Sequence, residues 1–285
     1  MDDATSPRTE VVDVPGARLH TEVRGAGPLL LLVVGGNGDP TIFEPLAALL
    51  AERWTVLTWV RRGFVRSPVA EGPAGQVAED KVGADVDDAV ALIERHGGPA
   101  AVLGSSSGAI VALELLVRRP DLVRTVVAHE PPLFPLLDDA ARWRERFADV
   151  HALYRREGVV PAMAAFGEVV GMGRRPEPSP EAVPPAFAAM YERWPANTTF
   201  WFDHEYGPYP EHEIDLAALR RHADRLVLAV GHTSRAEDQM PSRPNAVLAE
   251  RLGVAVTEMP GAHIGYLEDP PGFAAALEDA LRPRS

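Results

Sequence analysis

The chain has 285 residues, 46% of them hydrophobic, ample for one large core or a core with an insert. A formal net charge of −13 argues against nucleic acid or an anionic membrane surface as partner. The absence of cysteine excludes disulfides, a thiolate nucleophile and a Cys-ligated metal.

The amino terminus is acidic and polar, the reverse of a secretory signal, and residues 1–9 read as an unstructured lead-in. The longest apolar run, residues 29–34, is far too short to span a bilayer, so a soluble cytoplasmic protein is expected. Residues 11–14 and 17–23 read as a hairpin around Pro15-Gly16. The run 29–34 is continuous in Leu and Val, as in a strand covered on both faces. A tight loop, Gly35-Gly36-Asn37-Gly38-Asp39-Pro40, precedes an amphipathic helix over 41–51 and a strand over 54–60. Arg61-Arg62-Gly63-Phe64 opens the next loop, and residues 80–96 place Val82, Val86, Ala89, Val90 and Leu92 on one helical face. A short buried strand over 100–103, a helix over 109–118 (Ile110, Leu113, Leu116 and Val117 inward) and a strand over 123–129 follow. Strands alternating with helices of this length predict a mostly parallel sheet with right-handed crossovers.

The alternation breaks at Glu130-Pro131-Pro132. Residues 133–215 offer helices over 138–155, 160–170 and 185–193, a Pro/Gly-rich loop over 171–180 and no clear buried strand. Most of the aromatic residues fall here, among them Phe134, Trp143, Phe147, Phe166, Trp201 and Tyr206. Some would form the core of a small helical layer, and others the inner face of a lid over an apolar pocket. The alternation resumes with a strand over 226–230, a helix over 244–252, a strand over 254–259, a turn at Pro260-Gly261-Ala262-His263 and a helix over 272–281. The expected division is a core of 1–132 and 216–285 and a helical cap of 133–215.

Leu103-Gly104-Ser105-Ser106-Ser107-Gly108 carries the chemistry. G-x-S-x-G between a strand and a helix holds the central serine on a strained turn above the sheet edge, with small residues two before and two after it. Ser106 is therefore the candidate nucleophile, and the N–H of Ser107, free at the helix start, can stabilise an oxyanion. Ser105 and Ser107 do not sit at the centre of the Gly-to-Gly spacing. A serine needs a base, and the base an orienting acid. His263, just past the last strand, lies at the carboxyl edge that also carries Ser106, whereas His204, His212 and His232 read as solvated or structural. In many enzymes of this architecture the acid follows the penultimate strand, but Ser234 fills that slot. Glu130, at the end of the strand after the nucleophile helix, is the candidate acid and keeps the order Ser, acid, His. Glu237 and Asp238 are its rivals. The loop after residues 29–34 faces the elbow, so Gly36, with Asn37 second, is the candidate for the other oxyanion N–H. His204 and His212 flank Glu205 and Glu211 without H-E-x-x-H spacing, which reads as a polar hinge rather than a metal site. No cofactor or metal is expected.

These features resemble the α/β-hydrolase superfamily from about residue 10 to residue 282, through the Gly-Gly-Asn-Gly loop, Arg61-Arg62-Gly63-Phe64, the elbow and the Pro-Gly-x-His turn. The superfamily's usual Asp before Arg61 is Val60 here. The resemblance implies about eight mostly parallel strands flanked by helices, with a helical lid inserted after Glu130. Within the superfamily the chain looks most like the zearalenone-type lactonases. It shares their Ser106-Ser107-Gly108-Ala109 elbow, their acid in a His129-Glu130-Pro131-Pro132 segment, and the lack of an acid in Val230-Gly231-His232-Thr233-Ser234. A lid Trp contacts the substrate in those lactonases, which implies such a role for Trp201; the rest of the lid differs. Asn37 and Phe134 are further candidate substrate contacts. The expected activity is hydrolysis of an ester or lactone with a bulky apolar acyl part, such as a zearalenone-like macrolactone. C–C bond or thioester hydrolysis by the same triad, or small-molecule binding without catalysis, are the alternatives. The expected partner is the small apolar substrate; a homodimer is left open.

Overall fold

The computed structural model describes residues 7–36, 38–71, 77–173 and 184–282. Strands β1 (Arg8–Val14) and β2 (Ala17–Arg24) form the antiparallel hairpin, so regular structure begins inside the stretch expected to be a lead-in. β3 (Leu29–Val33) is followed by a 3-10 turn and helix α1 (Glu44–Leu50), then by β4 (Thr55–Trp59) and α2 (Lys81–Arg95). β5 (Ala100–Ser105) turns into α3 (Ser107–Arg118), and β6 (Val123–His129) leads into α4 (Ala140–Glu157), α5 (Val159–Val170) and α6 (Pro185–His204). After α7 (Leu216–Arg221) come β7 (Leu226–Gly231), α8 (His232–Ala236), α9 (Arg243–Leu252), β8 (Val256–Met259), α10 (Gly265–Glu268) and α11 (Pro270–Ala280). The eight strands form one sheet in the order β1-β2-β4-β3-β5-β6-β7-β8, parallel from β4 onward.

The sheet is the middle of three layers, and its strands show why. Every residue of β3 is buried: Leu29, Leu31 and Val33 face the side covered by α2, α3 and α9, whereas Leu30 and Leu32 face the side covered by α1 and α11. Period-two alternation of apolar residues toward both layers gives the continuous run seen in the sequence. Each of those leucines contributes about 1.5–3 kcal/mol by burial. Helix starts are set locally: the Asp80 carboxylate accepts from the Gly83 N–H at 2.8 Å, a cap contributing about 1 kcal/mol to α2.

Between β6 and β7 the chain leaves the sheet. α4, α5 and α6 pack on an aromatic cluster of their own, including Phe134, Trp143, Phe147, Phe202 and Tyr206. α6 is the main departure from expectation. The sequence predicts a helix over 185–193, yet α6 continues through Pro195 to His204. Proline removes one backbone hydrogen bond and disfavours a helix interior. Tertiary anchors outweigh that cost: Asn197 is buried and accepts from the Val65 N–H at 3.0 Å, and Thr198 and Phe202 are buried beyond it. Most of the loop expected over 171–180 lies outside the described residues. Among the described residues no helix is long and apolar enough to cross a membrane.

Candidate active site

Ser106 stands between β5 and α3 with φ 56° and ψ −128°, a conformation that costs a non-glycine residue about 1–3 kcal/mol. The turn is tight because the elbow lies hard against β3: a Cβ on Gly108 would sit 2.2 Å from the Val33 carbonyl oxygen, and one on Gly104 would sit 2.4 Å from that of Gly108. The Ser106 N–H donates to the His129 carbonyl at 2.9 Å, tying the elbow to β6. Ser105 pairs with His129 in the β5–β6 register, so the residues just past both strands, Ser106 and Glu130, come to one edge of the sheet.

Glu130 also has a positive φ, 53°. Its side chain is fully buried and both oxygens are used. Oε2 lies 2.5 Å from His263 Nδ1, and Oε1 accepts from the Gly231 N–H at 2.9 Å. Burial pushes its carboxyl up, but the hydrogen bond from His263, the His129 and His263 imidazoles and the Gly231 amide reverse this and hold it at about 2. Glu130 is thus ionised at neutral pH. A carboxylate can only accept, which puts a proton on Nδ1 of His263 and leaves Nε2 as the basic nitrogen. The rival acids lie elsewhere. Asp238 is exposed and 3.9 Å from Arg243, and the exposed Glu237 accepts from Gln239 at 2.9 Å. Ser234 is buried in α8, its hydroxyl without a partner among the described residues. No hydrogen bond joins Ser106 Oγ to His263 among the described residues; the candidate base and acid are paired, the candidate nucleophile and base are not. Such bonds are often loose until substrate binds.

In the sequence His129 stands out only as a flank of Glu130, and its surroundings show more. It is fully buried, with Nδ1 3.3 Å from Ser105 Oγ and its ring stacked on that of His263 at 6.2 Å. Burial pushes its imidazole down to about 4, so it is neutral at pH 7. The strand pattern, apolar through Val126, Val127 and Ala128, already hinted that the next residue would be inside.

Beside Ser106 runs the loop after β3. A Cβ on Gly35 would lie 2.7 Å from that of Ser106, so only glycine permits this approach. The N–H groups of Gly36 and Ser107 donate to no backbone carbonyl among the described residues. Asn37 lies outside the described residues. Beneath the loop, Arg61 is wholly buried. Its Nη2 donates to the Gly35 carbonyl at 2.8 Å and to Glu205 Oε2 at 2.6 Å, and its Nη1 donates to Asp85 at 2.8 Å. Lys81 completes a neutral set by pairing with Asp85 at 2.7 Å and Glu205 at 3.0 Å. In the stretch expected to be a polar hinge, Glu205 at the end of α6 is wholly buried and paired with Arg61 and Lys81. Of its neighbours, the half-buried His212 faces Glu114 at 3.2 Å, and His204 packs on Phe200. His232 pairs with Glu258 at the surface.

Trp201, on α6, covers the same loop: its ring atoms lie 3.1 Å from where a Cβ on Gly36 would be, and it meets Phe166 and Tyr206 edge-on. Phe134 is almost fully buried against Phe147 in the aromatic cluster. A cavity of about 300 Å³ between Leu137, Val230, Arg235, Arg243 and Val247 has none of Ser106, Glu130 or His263 in its wall. Among the described residues no group of three metal-ligating side chains is placed to hold an ion.

Comparison with known proteins agrees with this architecture. Residues 30–276 match the model of the alpha/beta hydrolase family. The chain is 33% identical over 276 residues to the uncharacterized hydrolase YraK of Bacillus subtilis, covering 95% of this chain and 94% of that protein. It is 24% identical over 278 residues to the zearalenone hydrolase of Cladophialophora bantiana, covering 96% of this chain and 97% of that one. A hydrolase from Pseudomonas aeruginosa shares the fold with a TM-score of 0.69 at 20% identity, over 96% of this chain and 98% of its own.

Proposed function

The chain belongs to the alpha/beta hydrolase family, and from that premise we propose that it is a serine hydrolase of carboxylic esters or lactones, acting through an acyl-enzyme. The observation that carries the reading is the 2.5 Å contact between His263 and a buried, ionised Glu130. In this mechanism Ser106 Oγ attacks the carbonyl carbon and its proton passes to Nε2 of His263. Glu130 stabilises the imidazolium through Nδ1. The N–H groups of Gly36 and Ser107 receive the oxyanion. Collapse breaks the acyl C–O bond, and His263 returns the proton to the leaving alkoxide. A water then gives His263 a proton and attacks the acyl carbon; release of the acid restores the Ser106 hydroxyl.

The substrate class is proposed as bulky and apolar, with a zearalenone-like macrolactone as lead candidate. Trp201 stands beside Gly36 with Phe166 and Tyr206 packed on its ring, which supports an apolar acyl group. Arg61, bonded to the Gly35 carbonyl, and Arg66 and Arg193, bonded to Asp39, are each held by a carboxylate, which favours a neutral substrate over an anionic one. The printed name of the fungal relative points the same way. Turnover of p-nitrophenyl esters and macrolactones, zearalenone included, by the wild type and by Ser106→Ala tests the reading. Loss of all turnover with the fold intact is expected; normal turnover by Ser106→Ala contradicts it.

A further inference from the structure

We infer that the last turn of α6 sets the direction of the Gly36 N–H through Arg61, making Arg61 a positioning residue for the oxyanion site and coupling that site to the docking of the inserted helices. The inference rests on the serine-hydrolase reading and adds to it the part that builds the second oxyanion donor.

The coupling starts at one peptide bond. The Gly35 carbonyl and the Gly36 N–H belong to the same planar trans unit, so fixing one fixes the other in the opposite direction. Between two glycines that unit has little of its own to resist rotation. The carbonyl is held on the inner side by Arg61 Nη2 at 2.8 Å and by the Gly38 N–H at 3.2 Å. The Gly36 N–H is thereby turned away from the guanidinium and has no backbone partner among the described residues. The same Nη2 lies 3.5 Å from the Ser107 hydroxyl, so one buried cation touches both segments that supply candidate oxyanion donors.

Arg61 is in turn fixed from α6. Glu205, the C-cap of that helix, holds it with two bonds of 2.6 and 3.0 Å. One turn earlier Trp201 packs over Gly36. Two turns before that, Arg193 holds Asp39 at 2.8 Å, and Asp39 caps the turn that follows the loop. α6 therefore grips the loop at its two glycines and at its far end. A purely structural ion cluster would have no need to spend a donor on the peptide that faces the nucleophile.

The test compares Arg61→Met/Glu205→Gln, which keeps the buried charge balanced through Lys81 and Asp85, with the wild type on a p-nitrophenyl ester. A trifluoromethyl ketone that adds to Ser106 serves as tetrahedral mimic, and melting temperatures are recorded. Loss of one oxyanion donor lowers kcat by roughly 10²–10³-fold. The double variant is expected near the lower end, with KM changed less than about threefold and ketone affinity falling in parallel with kcat/KM. Asp88→Asn breaks the neighbouring Arg62–Asp88 pair, which does not touch the loop; it should lower the melting temperature and leave kcat alone. A folded double variant with kcat within about threefold of wild type, or with ketone affinity unchanged, overturns the inference. If that variant does not fold, Glu205→Gln alone carries the test. It is then expected to lose about tenfold in kcat with parallel loss of ketone affinity, and an unchanged kcat overturns the inference. Absence of Ser106-dependent turnover in the wild type is a different failure, because it removes the serine-hydrolase reading and the inference with it.

Discussion

Two buried ionic clusters flank Ser106, and they are built on opposite plans. The one beneath the Gly35–Gly36 loop holds Arg61, Lys81, Asp85 and Glu205, two cations and two anions locked by short bonds, with Tyr209 donating to Asp85. Burial opposes the charge on Arg61, but Glu205, Tyr209 and Asp85 raise its pKa, and Lys81 and Arg61 hold Asp85 low despite its burial. Arg61 and Asp85 thus keep their charges at neutral pH. The cluster at the ends of β6 and β8 holds one carboxylate, Glu130, and two imidazoles, His263 on it and His129 behind it. Imidazole is the side chain able to take up and release a proton near neutrality. A cluster that positions is balanced and fixed; a cluster that moves a proton keeps one group free to change charge. This is why the second, and not the more heavily charged first, is the proposed catalytic one.

The sharpest way to break that contrast is to neutralise Glu130. Glu130→Gln is expected to lower kcat on the order of 10³–10⁴-fold, since an amide neither enforces the Nδ1–H tautomer nor stabilises the imidazolium. Asp238→Asn is expected to leave kcat unchanged. Steady-state kinetics on both variants decides it, and the assignment fails if only the second loses activity. Next in size is the fixed cluster. Arg61→Met alone strands two buried carboxylates with one lysine and is expected to cost about 3–5 kcal/mol in urea denaturation. The charge-balanced Arg61→Met/Glu205→Gln should recover part of that loss. If both variants unfold at the same urea concentration, the cluster does not act as a balanced unit.

Stability against pH sharpens the same comparison, because His129 and Glu130 titrate in two windows. His129 has a folded value of about 4 against 6.5 free, so the unfolded chain binds the extra proton between these pH values and stability falls as pH drops through them. Glu130 has a folded value of about 2 against 4.5, so its contribution is present above pH 4.5 and is lost as pH falls toward 2. Each shift is on the order of 3 kcal/mol. His129→Phe is expected to flatten the melting-temperature profile between pH 6.5 and 4 relative to wild type and to leave the lower step in place. An unchanged slope would show that His129 is not held neutral in the folded chain. The smallest effect is predicted at the surface. Arg144 on α4 makes a two-pronged contact with Glu211, but both side chains are exposed, and Glu211→Gln should leave the urea midpoint essentially unchanged.

What the sequence could and could not reveal follows from the same physics. The elbow is legible because glycine spacing, apolar strand and helical face all lie within twenty residues, and each is a local steric rule. The meeting of Glu130 with His263 spans 133 residues, yet it is legible too, because parallel strands deliver their following loops to one edge. The link from Arg61 to Glu205 spans 144 residues and is not. A glutamate between His204 and Tyr206 has the pattern of a polar hinge, and nothing local says that a buried cation will receive it. The true length of α6 was hidden for a related reason. Pro195 is a local stop signal, and the anchors that override it, Asn197 on Val65 and Phe202 in the aromatic cluster, exist only once the loops are in place.

The central claim is that Ser106 is an activated nucleophile. Intact-mass spectrometry after treatment with a fluorophosphonate, on wild type, Glu130→Gln and Ser106→Ala, tests it most directly. One adduct per wild-type chain, slowed labelling in Glu130→Gln and none in Ser106→Ala is the result the account predicts. A wild type that takes up no label, or a Ser106→Ala variant that labels as fast as the wild type, would contradict it.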